Sequence, residues 1–159
     1  MTFMIRYFLV SCVSLSAIAA IAGDEKTDDL KKFQGQWRVL RIDELENNPL
    51  PQKELAKMSV EFKGNTFIME NSGRKEQPVA FTIDPTKKPK TIDFVMTEKL
   101  SKKGEKKVLE KKVTIPGIYM LKGKQLTIAY ADPGAAKPER PKEFRATKAS
   151  LLMVLEKKK

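Results

Sequence analysis

Asp93 stands between two apolar neighbours, Ile92 and Phe94, a setting in which a carboxyl can do acid–base work. Two such carboxyls flanking a glycosidic bond would cleave it, one as acid and the other as base or nucleophile. The other role open to Asp93 is structural, as a carboxylate on an outer strand face or an anchor for a loop lysine. Ser72-Gly73-Arg74-Lys75 spells S-x-x-K, the nucleophile motif of penicillin-recognising enzymes. That chemistry needs the serine at a helix start with the lysine one turn on, together with S-D-N and K-T-G. Here the segment falls in a glycine-bearing turn and neither companion motif occurs. The chain has no histidine and one cysteine, Cys12, which excludes Ser-His-Asp and Cys-His catalysis. There is no P-loop and no G-x-G-x-x-G, so nothing supports a nucleotide site. No residue is assigned a catalytic role, and the chain reads as a non-enzyme.

Binding chemistry has more to work with. Tyr119 and Tyr130 fall on the two arms of one hairpin. With their polar tips inward they would line a pocket; otherwise they fill a barrel end with the hydroxyl reaching solvent. Arg140 and Phe144 stand in and just beyond Asp132–Pro141, a loop with three prolines and a glycine, and such loops often carry binding residues. One reading folds this loop over a barrel mouth with Arg140 facing an anionic ligand group. The other pairs Arg140 with a neighbouring carboxylate and lets Phe144 fill the core.

The elements that must hold these residues are strands. Tyr119 and Leu121 share one face, Lys122-Gly123-Lys124 makes a turn, and Leu126, Ile128 and Tyr130 alternate with Thr127 and Ala129, the period-2 signature of a half-buried hairpin. Phe62-Lys-Gly-Asn-Thr-Phe67 repeats the same turn chemistry, since glycine admits the positive φ of tight hairpins. Further alternation over Gln36–Ile42, Val79–Ile83, Ile92–Met96, Val113–Leu121 and Leu151–Leu155 brings the count to eight short strands. A break or bulge is expected at Pro116-Gly117. Glu98–Lys112, with seven lysines and three glutamates, is a solvated loop or the exposed end of a long hairpin. Thr27 is placed to cap a short helix over Asp28–Lys32, and Pro51–Leu55 can make one or two helical turns with the proline at the start.

Eight short strands without a long helix predict an all-β fold, an antiparallel barrel or sandwich, with closure into a barrel favoured because it removes exposed edges. The expected inward set is Trp37, Val39, Val60, Phe62, Phe67, Phe81, Phe94, Leu126, Ile128, Tyr130 and Met153. So many large side chains predict a mostly filled interior with at most a pocket at one mouth.

The first 22 residues read as a cleavable secretory signal: Arg6, an apolar run from Tyr7, and Ala20-Ile21-Ala22 before Gly23. Residues 23–33 form a charged lead-in and residues 34–157 the barrel domain. Leu9-Val10-Ser11-Cys12 also resembles a lipobox, so membrane contact is expected only if Cys12 is lipidated or the signal segment is retained. Cleavage leaves no cysteine and no histidine, hence no disulfide and none of the ligands that dominate zinc, copper and haem sites. No metal and no cofactor are expected. The charge is +11 overall, which favours acidic partners such as an envelope polymer. Its carriers are mostly lysines without interleaved aromatics, unlike nucleic-acid readers, so nucleic acid is not an expected partner. Oligomeric state is left open.

Gly35-Gln36-Trp37 resembles the G-x-W motif of lipocalins. The wider pattern is Asp84-Pro85-x-Lys-Lys-Pro89-Lys-x-Ile92-Asp93, Gly117-Ile118-Tyr119, Leu126-x-Ile128, Glu139-Arg140-Pro141-x-x-Phe144 and Leu151-Leu152-x-Val154-Leu155. Together these resemble an uncharacterised lipocalin-like domain family abundant in planctomycete bacteria. The resemblance implies a lipocalin-like barrel behind a signal peptide, with Gly35 and Trp37 at its floor, and no established activity. Family members often carry a cysteine near Ala129 and an arginine near Glu156-Lys157. The cation that packs on the floor tryptophan would then be Arg145 or Lys157. The expected function is an exported binding module for a small apolar or amphipathic ligand. The alternatives are a ligand-free envelope module using its lysine-rich face, and a carboxylate-based hydrolase.

Overall fold

The computed structural model describes residues 17–45, 48–100 and 109–159. The chain runs α1 (Ala17–Phe33), β1 (Gly35–Leu45), β2 (Asn48–Pro49), α2 (Gln52–Leu55), β3 (Met58–Lys63), β4 (Thr66–Asn71), β5 (Arg74–Lys75), β6 (Val79–Asp84), β7 (Lys90–Leu100), β8 (Leu109–Lys122), β9 (Gln125–Ala131) and β10 (Ser150–Lys157). Eight strands close an antiparallel barrel in the order β1-β3-β4-β6-β7-β8-β9-β10, and β10 returns to β1. The two-residue strands β2 and β5 hang on β1 and β4. The expected fold class is therefore what the chain adopts.

Alternation sets the inside. Ten of the eleven expected inward residues are buried, and Tyr130 is half-buried. The β3–β4 and β8–β9 hairpins turn at Gly64 and Gly123, with φ of 58° and 57°, the left-handed region that glycine enters without strain. Β-strand 8 departs from expectation. It passes Pro116-Gly117 with unbroken register, Asp93 opposite Pro116 and Ile92 opposite Gly117. The β8–β9 ladder ends at Gly117 opposite Tyr130, so Pro116 has a free flank, where the missing N–H is tolerated. Gly117 is needed for a different reason: a Cβ there would lie 2.8 Å from the Ala129 carbonyl oxygen.

The N-terminal helix is also longer than expected. Thr27 does not cap it, because the helix already runs from Ala17 through the Ala- and Ile-rich segment, whose alanines favour helix most of all residues. The helix is not a mere lead-in. Phe33 at its end is fully buried, with ring centroids 5.1 Å from Phe62, 5.7 Å from Phe81 and 5.2 Å from Tyr119. One barrel end is thus plugged by α1 and an aromatic cluster. Arg6, Cys12 and the first 16 residues of the expected signal segment lie outside the described residues. Of the lysine-rich stretch 98–112, residues 98–100 end β7 and residues 109–112 begin β8, and residues 101–108 lie outside the description.

Candidate functional site

At the plugged end, the floor tryptophan is fixed from two sides. The Trp37 indole Nε1–H donates to the Phe33 carbonyl at 2.7 Å. Lys157 sets its ammonium 5.6 Å from the Trp37 ring centroid and donates to the Lys32 carbonyl at 2.9 Å. Of the two candidate cations, Lys157 takes the floor position, while Arg145 pairs with Glu143 at 3.1 Å.

A polar latch joins the same helix to the barrel wall. Asp29 is buried, and its carboxylate accepts from Tyr119 Oη at 2.8 Å, Lys90 Nζ at 2.8 Å and Lys32 Nζ at 3.3 Å. Lys90 also pairs with Glu25 at 2.9 Å. Burial alone would raise the Asp29 pKa, but the donors Lys90, Tyr119 and Lys32 carry it below the usual carboxylate value. Burial and then the Asp29 carboxylate push the Tyr119 phenol well up. For Lys90, burial pulls down, and the bonds to Asp29 and Glu25 more than offset it. Asp29, Tyr119 and Lys90 are each driven toward the ordinary form at neutral pH. The cluster clamps α1 in place and is poorly tuned to exchange protons.

The opposite mouth is different. A cavity of about 230 Å³ opens there, lined by Phe67, Met69, Val79, Phe94, Met96 and Tyr130 among others, with Met153 and Ile115 at its base and Glu76 and Pro133 completing the wall. Strand alternation explains the lining: Phe67 and Met69 on β4, Phe94 and Met96 on β7 and Met153 on β10 all sit in the inward register. Tyr130 packs edge-on to Phe94, centroids 6.0 Å apart, and its hydroxyl makes no hydrogen bond to the described residues. Burial, followed by the charges of Glu44, Glu76 and Asp132, pushes that phenol up to about 12.

Tyr119 and Tyr130 therefore do not share a pocket. Both point inward, but Tyr119 belongs to the plugged end and Tyr130 to the open one. Arg140 does not gate a mouth either. Its guanidinium donates to the carbonyls of Gly117 at 2.5 Å and Ile92 at 3.3 Å, and pairs with Asp93 at 2.7 Å. Asp93 is outward because Ile92 and Phe94 are both inward and buried, so the structural role holds for both residues. Phe144 does not enter the barrel. It packs with Ala146 over Ile118, Ala129, Leu152 and Val154, a second apolar cluster on the outer wall. The loop after β9 is a strap along the barrel's outside. Ser72 sits in the exposed β4–β5 turn with φ 52°, its hydroxyl on Asn71 Oδ1 at 3.1 Å, with no helix start behind it.

Sequence reasoning passed over Asp29, Glu76, Met69 and Met96. The inward register carried a signal for the two methionines, since Met69 and Met96 alternate with Phe67 and Phe94. For Asp29 the only signal was an acid amid a charged run, indistinguishable there from a solvated one. No group of His, Cys, Asp or Glu suited to a metal ion occurs among the described residues. Comparison with family models, curated proteins and solved structures finds no match to this chain.

Proposed function

We propose that this chain is an exported, lipocalin-like binding module that holds a small apolar or amphipathic molecule in the cavity at its open mouth. The observation that carries this reading is the cavity itself: about 230 Å³, walled by aromatic and methionine side chains, with two polar groups at its edge. Ligand sites commonly have this composition, though most are larger, roughly 300–1,000 Å³. Methionine suits such a wall because its flexible thioether reshapes around a guest. The signal-like first 22 residues support export, and the motif pattern from Gly35 to Leu155 supports placement in the lipocalin-like domain family. A non-catalytic role is supported by three carboxylates inside or near the barrel that are held in ion pairs. Asp93 is tied to Arg140, Asp29 to Lys90 and Asp43 to Arg41.

Native mass spectrometry of protein purified gently from its own source tests this. The expected spectrum shows a co-purified small mass on the native chain and none on Val79→Trp, which fills the cavity from β6. A bare mass in both, with no small molecule released on denaturation, would overturn the reading.

A second reading has its own observation. Lys87, Lys88 and Lys142 line one outer groove with Pro89, Pro141 and Arg140. None of these three lysines forms an ion pair with a described residue. The groove could seat an acidic envelope polymer, a contact that would weaken steeply with salt.

A further inference from the structure

The chain as a whole is strongly basic, yet the open mouth is edged by acids. Glu76 lines the cavity, and its backbone N–H donates to the Met69 carbonyl at 2.8 Å, which fixes the chain just after β5 beside β4. Its side chain is in no ion pair among the described residues. Arg74 shares a shallow surface hollow with Glu76 but forms no ion pair with it. Asp132 follows β9 next to Pro133, a cavity residue, and is held by an Asx turn in which Gly134 N–H donates to its Oδ1 at 2.8 Å. Glu44 on β1 adds a third acid whose field reaches Tyr130. Lys111 continues the inward register of β8 beyond Val113 but is exposed and does not line the cavity. Inside this edge lie the ring faces of Phe67, Phe94 and Tyr130, and a phenol hydroxyl with no described partner.

Resting on the binding role above, we propose that the guest is a small amphipathic cation: an aliphatic or aromatic body of about six carbons with an ammonium or amidinium head at the mouth. The body takes the methionine and phenylalanine wall. The head lies between Glu76 and the Tyr130 ring, where carboxylate charge, the ring's negative face and the hydroxyl lone pairs all favour a donor cation. An anionic head would meet Glu76, and no cation lines the cavity. A neutral head would gain only a hydrogen bond.

Three probes of equal length separate these outcomes: n-hexylammonium, 1-hexanol and hexanoate, each titrated into the full chain and followed by the Met153 methyl carbon signal. The distant field of a chain with charge +11 favours hexanoate, so a preference for the ammonium can only be local. Hexylammonium is expected to bind about five- to tenfold more tightly than hexanol, the effect of one partly solvated charge pair. Glu76→Gln is expected to abolish that difference, and a thermal unfolding midpoint matching the native chain serves as the control for folding. Equal binding of all three, or a preference for hexanoate, would overturn the cationic head group and leave the cavity as a binding site. Failure of all three to bind would overturn the binding site and this inference with it.

Discussion

Asp29 is buried and yet held in its charged form, because Lys90, Lys32 and the Tyr119 hydroxyl all face its carboxylate. Hydrogen bonds to a charged group are worth about 1.5–3 kcal/mol, and Asp29→Asn should destabilise the fold by roughly that amount at neutral pH. The pH dependence has a definite sign. The folded-state pKa lies below the unfolded one, near 3.9. The stabilisation is therefore complete above that value and is lost as pH falls through the lowered folded pKa. The stability gap between the native chain and Asp29→Asn should be full at pH 6 and close below about pH 4. Trp37, the single tryptophan, is the natural reporter, since its indole is bonded to the last residue of α1. A gap that widened in acid would show that Asp29 is not the ionised centre of the latch. No pattern in the sequence marked this residue, because its partners Lys90 and Tyr119 lie 61 and 90 positions away.

At the scale of elements, the eight strands were legible because each carries a two-residue alternation that only a half-buried strand explains. Their partners followed from tight turns, with Gly64 and Gly123 in the left-handed region that the turns require. The two short strands β2 and β5 were not legible, since two residues carry no period. Nor was the full length of α1, whose apolar first half reads as a signal segment whatever conformation it adopts. The strap after β9 was misplaced because a proline-rich loop has no period to say which side of the sheet it lies on. Its true position sets an expectation for Arg140. Arg140→Ala removes two bonds to strand carbonyls and one half-exposed ion pair on the outer wall. Exposed ion pairs contribute little, and hydrogen bonds from a charged guanidinium about 1.5–3 kcal/mol each before solvent screening at this half-exposed wall, so thermal unfolding should show a loss of about 2–3 kcal/mol. Occupancy of the mouth cavity should be unchanged. A loss of ligand with intact stability would restore Arg140 as a gate.

For the whole molecule, the two barrel ends divide the work. One is sealed by Phe33, Trp37 and the Asp29 latch; the other keeps an apolar space with a polar edge. The number of bulky inward residues pointed to a filled interior with at most a pocket at one mouth, and said neither whether a cavity exists nor which mouth would hold it. That choice is made by α1, a segment whose docking is written in tertiary contacts and not in periodicity. The division is tested most directly by adding 1-hexanol to chain labelled at the methionine methyl carbons and watching which signals move. Met69, Met96 and Met153 line the open mouth, whereas Met120 borders the outer groove at the plugged end and Met58 packs against the core. The first three should shift together in a saturable way while Met58 and Met120 stay still; three unmoved mouth signals, or a shift led by Met120, would contradict a binding cavity at the open end.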